Sequence, residues 1–296
     1  MDLGGTGSRA LFYSANDGQT LKSEGSGANP YRLGAEVAEN VISLHLSSLG
    51  LANRCIDLVL IGMAGVSSPV SRTVVDNAFK KAGLTGDIKL ISDAELTHMA
   101  AFAGKECTFA DNTINILLIA GTGSIAVTLS QVDGHLIRAG GLGHDNGDEG
   151  SGNWIGNKIK GLAQVNAELA GSRALQACVA AAGVISWTDL PAAALTVSLD
   201  ELASSYQVAL DLSSQAGYEL AKIVHSVYDQ QLQELHQKLG VDRSVAVRGV
   251  VKCYGSVIKQ CKTVRNAFTE ALQTHLVDAG DVTDVLSELL HKLIRA

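Results

Sequence analysis

The stretch that decides the fold is Ile114–Gly156, which opens INILLIAGTGSIAV and, after a hairpin, closes on GGLGHDNGDEGSGNWIG at residues 140–156. Ile114–Ile119 is an apolar run of strand character that breaks at Gly121-Thr122-Gly123-Ser124 and resumes as Ile125–Leu129. A glycine-rich turn therefore joins two strands. Glycine lacks Cβ and tolerates positive φ, so consecutive backbone N–H groups can converge on one concave site, where Thr122 and Ser124 add hydroxyls. Such a turn can hold an anion, but on turn chemistry alone an ordinary hairpin is the commoner explanation. The second half adds weight. Asp148 and Glu149 sit among Gly140, Gly141, Gly143, Gly147, Gly150 and Gly152, directly before a helix-like run from Trp154. A connector has little need of that much backbone freedom with acids embedded in it.

Working outward, 296 residues suffice for one large or two medium domains, and 46% hydrophobic with 18% charged residues and 3 prolines describes a compact, ordered protein. The net charge of −7 and the lack of basic patches argue against nucleic acid or an anionic membrane as partner, while a local phosphate site stays compatible. Cys55, Cys107, Cys178, Cys253 and Cys261 are odd in number and form no C-x-x-C pair. They are expected to be reduced, buried and hydrophobe-like, in a cytoplasmic protein. The apolar runs are too short for a membrane span, and Met1–Gly4 does not look like a signal peptide.

Asp2-Leu3-Gly4-Gly5-Thr6-Gly7 is a second acid-and-glycine turn leading into a strand, Ser8–Tyr13, so the chain reads as two related halves facing a shared ligand. Gly25–Pro30 reads as a loop. Helices are expected from Leu33 to Leu49 and from Val70 to Ala82, with strands at Asp57–Gly62 and Ile88–Ile91. Strand followed by helix, repeated, implies an α/β architecture with a mainly parallel core sheet. Ligands bind beyond the carboxyl ends of such strands, and Asp93 stands at one of them, although capping of the next helix, shared with Ser92, explains an isolated Ser-Asp as well. Residues 154–239 have a helical pattern, with a long helix from about Tyr206 to Leu239. Ser244–Val251 restores a strand with a glycine at its end, and helices complete the chain. His225, His236, His275 and His291 fall on helical stretches without metal-ligand spacing. No H-E-x-x-H, Walker-type or G-x-S-x-G motif is present.

In order, Asp2–Thr6, Gly27-Ala28-Asn29-Pro30, Met63-Ala64-Gly65, Ser92-Asp93-Ala94, Ala120–Ser124, Gly147–Gly152 and Val247-Arg248-Gly249 form a set that resembles the BadF/BadG/BcrA/BcrD ATPase family, and within it the N-acetylglucosamine kinases. The resemblance is dense from residue 2 to about 157. It implies two actin-like ATPase (ribonuclease H-like) α/β domains, at 1–108 and 109–296, the second helix-rich through an insertion, with ATP and substrate in the cleft between them. It also implies that Asp2 holds Mg²⁺, that Gly4, Gly5 and Thr6 contact the terminal phosphates, that Gly121, Thr122, Gly123 and Ser124 form the second phosphate motif, and that Gly249 packs on adenosine. Asn29, Asp93, Thr122, Gly123 and Asp148 match sugar-binding positions, with Asp93 as the catalytic base. Only Met1 precedes Asp2, where the family carries several strand residues, so the first strand is expected either to be short or to continue upstream. Ala64 stands where some kinases have a sugar-contacting serine.

The reading that follows is an ATP-dependent amino-sugar kinase acting on the 6-hydroxyl of N-acetylglucosamine or glucosamine, with a homodimer as the default assembly. Phosphoryl transfer needs positioning and charge neutralisation more than covalent help, which suits glycine turns, a cation and one carboxylate base. The alternatives are a non-catalytic sugar or nucleotide sensor of the same fold, and an ATPase activator of a dehydratase or reductase. The last needs an iron–sulfur cluster, which the scattered cysteines do not suggest.

Overall fold

The acid-and-glycine turn after Asp2 sends the chain straight back on itself. In the computed structural model, which describes residues 1–5, 7–102, 112–143 and 147–295, Asp2–Leu3 (β1) pairs antiparallel with Gly7–Tyr13 (β2), and β2 pairs antiparallel with Thr20–Ser26 (β3). Two helices, Pro30–Leu33 (α1) and Ala35–Ser48 (α2), lead to Cys55–Met63 (β4). Then come Pro69–Lys81 (α3), Thr85–Ser92 (β5) and Asp93–Ala101 (α4). The sheet order is β3-β2-β1-β4-β5, with β1, β4 and β5 mutually parallel. Helix α3 starts where Ser68 accepts from the Val70 amide and Pro69 presets the first turn. Its apolar positions Val74, Val75 and Ala78, with Ile42 and Leu46 of α2, bury against Leu3, Ile61 and Met63.

The second sheet begins with Thr113–Ala120 (β6), Ser124–Leu129 (β7) and Leu136–Gly140 (β8), an antiparallel meander. Helices Gly152–Val165 (α5), Ala167–Ala170 (α6), Arg173–Ala182 (α7), Leu199–Ser205 (α8) and the 32-residue Gln207–Lys238 (α9) follow, with 3-10 turns at Trp187–Asp189 and Ala192–Ser198. Arg248–Tyr254 (β9) returns to the sheet parallel to β6. Ser256–Gln260 (α10), Lys262–Ala271 (α11), Leu276–Asp281 (β10) and Val285–Arg295 (α12) end the chain. The order is β10-β9-β6-β7-β8.

Two departures from expectation lie near the C-terminus. The strand expected at 244–251 runs instead from Arg248 to Tyr254, so Gly249 sits near its start, and β10 interrupts what reads as continuous helix, putting His275 on the turn before it. β10 is an edge strand with Leu276 as its one fully buried residue, so its sequence carries no apolar run that would mark it. The chain divides into two compact units, Met1–Lys105 with Asp284–Ala296, and Glu106–Thr283. Helix α12 therefore belongs with the first unit, packing on α4 and β2 through buried Leu286 and Leu289, where 109–296 is expected as one domain. Cys253 and Cys261 are buried thiols, the latter's pKa pushed up to about 12 chiefly by burial. Cys178 is half-buried, Cys55 is exposed, contrary to the expectation of burial, and Cys107 lies outside the described residues.

The second unit is held by close packing of α9 on α11. A Cβ on Gly217 would lie 2.6 Å from both the Phe268 amide and the Val264 carbonyl, and Phe268 itself is wholly buried. Phe268→Ala is expected to cost this unit about 3–5 kcal/mol in denaturant unfolding; a loss below about 1 kcal/mol would contradict the packing described.

Candidate functional site

In the first unit one hydrogen-bonded row fixes the geometry. Leu3 pairs with Met63, and Met63 pairs with Ser92, so the carboxyl ends of β1, β4 and β5 finish level with one another. The loops that leave them are stitched together by Ala64 N–H donating to Leu3 O at 2.9 Å and Ala28 N–H donating to Gly4 O at 3.0 Å. Asp2, Gly4, Asn29, Ala64, Gly65 and Asp93 thus come from four sequence segments into one neighbourhood. Thr6 lies outside the described residues. Gly4 leaves no room for a side chain, because a Cβ there would stand 2.9 Å from Gly7 O, whereas Gly5 faces open space.

The side chains of this group have distinct environments. Asp2 is 14% exposed and its Oδ2 accepts from Arg9 Nη2 at 2.7 Å. Ser92, not Asp93, caps α4: its Oγ accepts from the Glu95 amide at 3.0 Å. The Asp93 carboxylate accepts only locally, from the Ala94 amide at 2.9 Å. Burial, reinforced by the negative charge of Asp2, raises its pKa above the ordinary carboxyl value. Asn29 caps α1, its Oδ1 accepting from Tyr31 and Arg32 amides at 3.0 and 3.3 Å, which leaves the Nδ2 donor out of the cap. Gly65, at φ 78°, packs so near Asn29 Oδ1 that only glycine fits.

In the second unit the two glycine-rich stretches join. Gly152 N–H donates to Gly121 O at 2.8 Å, and Asn153 N–H to Thr122 O at 3.1 Å. Ser124 donates twice into the acidic loop, from its amide to Asp148 Oδ1 at 3.3 Å and from Oγ to Glu149 O at 2.8 Å. Asp148 is buried, adopts φ 67°, and its carboxylate lies against Gly123, where a Cβ would stand 2.9 Å from Oδ2. Gly121, Thr122, Gly123, Ser124 and Asp148 are therefore one constellation. Ser151 then caps α5 through the Trp154 amide.

Gly249 does not join them. It pairs with Ile114 at the amino end of β6, roughly 20 Å along the strand from Gly121 at about 3.3 Å per residue. Its missing side chain admits Leu276 and the Tyr228 ring, which a Cβ would meet at 2.2 and 3.1 Å, so this glycine serves the core. Gly255, at the carboxyl end of β9, occupies the corresponding place beside the turn. Its φ is 108°, and a Cβ there would stand 2.5 Å from Ala120 O and 2.9 Å from Gly121 N. Its signal is legible in Val250-Val251-Lys252-Cys253-Tyr254-Gly255-Ser256: the apolar alternation continues past Gly249 to a glycine at the strand end.

The family model for the BadF/BadG/BcrA/BcrD ATPases matches residues 1–284. Over 122 residues the chain is 31% identical to the N-acetylmuramic acid/N-acetylglucosamine kinase of Clostridium acetobutylicum, a match spanning 41% of this chain and 37% of that protein. Among solved structures, a provisionally assigned N-acetylglucosamine kinase from Chromobacterium violaceum superposes with a TM-score of 0.61 at 22% identity, covering 98% of this chain and 96% of that one. A ROK family glucokinase from Streptomyces griseus, in complex with glucose and AMPPNP, gives 0.51 at 16% identity, covering 100% and 97%. The fold is that of the actin-like ATPases, as expected.

Gly123→Ala is expected to push the Asp148 carboxylate off the turn and to accelerate amide exchange at Ser124 by about tenfold or more. Unchanged exchange at Ser124 would show that the loop does not need glycine there.

Proposed function

Because the chain belongs to the BadF/BadG/BcrA/BcrD ATPase family, we propose that it is an ATP-dependent amino-sugar kinase, transferring the γ-phosphate of ATP to the 6-hydroxyl of N-acetylglucosamine or glucosamine. The observation that carries the reading is Asp93: a carboxylate relieved of capping by Ser92, partly desolvated, and level with the glycine turn after Asp2.

In this reading Asp93 accepts the proton of the sugar hydroxyl as it attacks phosphorus. A base so placed contributes roughly 10²–10⁴-fold. Asn29 Nδ2 donates to a neighbouring hydroxyl, and the Asp148 carboxylate accepts from another. The backbone of Gly4 and Gly5 in one unit, and of Gly121, Thr122 and Gly123 in the other, takes phosphate oxygens, since neither turn leaves space for a side chain at Gly4 or Gly123. Thr6 and Ser124 complete these two motifs. Gly255, rather than Gly249, packs against the nucleoside. Asp2 offers the single hard oxygen donor that suits Mg²⁺, which keeps most of its shell as water and phosphate; when bound, the cation would supply charge neutralisation at the phosphates. Arg9 holds the Asp2 carboxylate in one orientation for that purpose.

The test is ADP release with Mg-ATP against N-acetylglucosamine, glucosamine, N-acetylmannosamine and glucose. Amino-sugar-dependent release is expected, falling about 10²–10⁴-fold in Asp93→Asn with the thermal midpoint retained. A variant within about threefold of the parent would remove Asp93 as base. The pH profile follows from the raised pKa. The ionised carboxylate is the active form, so kcat/KM should fall on acidification with its inflection above the ordinary aspartate range.

A further inference from the structure

In the first unit a buried imidazole joins three segments. His45 of α2 is 2% exposed, and its ring lies over Gly25 of β3, where a Cβ would stand 3.3 Å from ring atoms and 3.2 Å from Ser8 Oγ. Both ring nitrogens are engaged. Nε2 is 2.7 Å from Ser8 Oγ on β2, and Nδ1 is 2.9 Å from Ser23 Oγ on β3. Ser8 Oγ also donates to the carbonyl of Ser26, the last residue of β3. Ser8 stands just past the glycine turn that follows Asp2, and Ser26 stands three residues before Asn29. Beyond them, Ala28 N–H donates to Gly4 O, so the same two segments are joined again at 3.0 Å.

Counting protons fixes the state of the ring. A hydroxyl carries one proton, and Ser8 spends its own on a carbonyl that can only accept. Ser8 Oγ must therefore accept from Nε2–H. The neutral ring then presents a bare Nδ1, to which the Ser23 hydroxyl donates. A second proton at Nδ1 would oppose that hydroxyl donor, and it would place a charge where no carboxylate receives it. Arg9, Lys22 and Glu24 alternate onto the other face of the β2–β3 ribbon, Arg9 to Asp2 and Lys22 to Asp284. On α2, Glu36 is exposed and Glu39 is tied to Lys81; on α3, Arg72 and Asp76 pair with each other and Lys80 is exposed. Burial first, and the positive Met1 ammonium second, hold the imidazole below its ordinary pKa.

We propose that His45 is a positioning residue: as the neutral Nε2–H tautomer it clasps the turn after Asp2 to the segment that carries Asn29, and acid releases the clasp. A leucine could fill the same space, but it could not hold Ser8 Oγ while Ser8 holds Ser26. Glutamine can, because its Nε2 reaches the place of the imidazole Nε2 and does not titrate near neutrality. The opened form takes up a proton near the ordinary histidine value of about 6.5, and the clasped form only at lower pH. The clasp is therefore at full strength above that value and weakens as the pH falls below it. What the two segments bind rests on the kinase reading; the clasp itself is read without ligand, so failure of one is distinguishable from failure of the other.

The experiment uses the whole chain without nucleotide or sugar. Nitrogen-15 NMR of the His45 ring at about pH 7.5 is expected to show Nε2 protonated and Nδ1 bare. A proton on Nδ1 at that pH would overturn the proposal. Amide exchange at Ala28, divided by its intrinsic rate, is then compared at about pH 7.5 and about pH 5.5. It should rise about threefold or more on acidification in the parent, and by less than about twofold in His45→Gln. His45→Leu should exchange about tenfold faster than the parent already at the higher pH, with glutamine restoring most of the protection. Equal acid responses in the parent and His45→Gln would overturn the proposal, and this comparison decides the matter even where the leucine variant does not fold. Protection at Ala28 that is the same in leucine and parent would overturn it as well.

Discussion

The parallel ladders between the central strand of each sheet and its neighbour govern where everything else can sit. Leu3, Met63 and Ser92 are level because β1, β4 and β5 hydrogen-bond in register, and Ile119 is level with Tyr254 because β6 and β9 do. The chain must leave each of these strand ends at once, into an antiparallel partner or a helix, inside a space already crowded by the adjacent loop. That crowding selects glycine. A side chain at Gly123 would collide with Asp148, one at Gly255 with the Ala120 carbonyl, and one at Gly65 with Asn29. In the proposed kinase reading, the backbone exposed by these exclusions is also what takes the phosphate oxygens.

Charge is distributed with similar economy. Asp2 is tied to Arg9, whereas Asp93 has no cationic partner at hydrogen-bonding distance among the described residues and is held above its ordinary pKa by burial and by Asp2. In the proposed kinase reading, the Asp2 carboxylate oriented by Arg9 faces the cation while Asp93 takes the proton of the attacking hydroxyl. Arg9 could not be inferred from its position in the sequence, since an arginine two residues into a strand reads as a solvated face until its partner across the turn is seen.

Most of the fold was legible because its strands and helices follow one another with clear periods: β4, α3, β5 and α9 stand within a few residues of where their apolar patterns place them. The glycine turns and the Ser92-Asp93 helix start were legible through turn chemistry, and the ordered motifs pointed to the family before any geometry was known. What failed were features that depend on long-range packing. Gly249 resembles a strand-end glycine only if the strand stops there, and the sequence does not show that Leu276 and Tyr228 occupy the space beside it. Strand β10 is short and at the sheet edge, with Leu276 its one fully buried residue, and its polar Asp278 and Asp281 hide it; both pair with Arg265 at 2.7 and 2.8 Å. The affiliation of α12 with the first unit rests on Leu286 and Leu289, whose partners on β2 and α4 are nearly two hundred or more residues away in the chain.

The central claim is that the glycine turns and Asp93 serve phosphoryl transfer to a sugar. The most direct measurement is ³¹P NMR of the protein with Mg-ATP and N-acetylglucosamine. The account predicts equal appearance of ADP and a sugar phosphomonoester coupled to the C6 methylene protons. Inorganic phosphate in place of the ester, or ATP unchanged while the sugar binds, would contradict it.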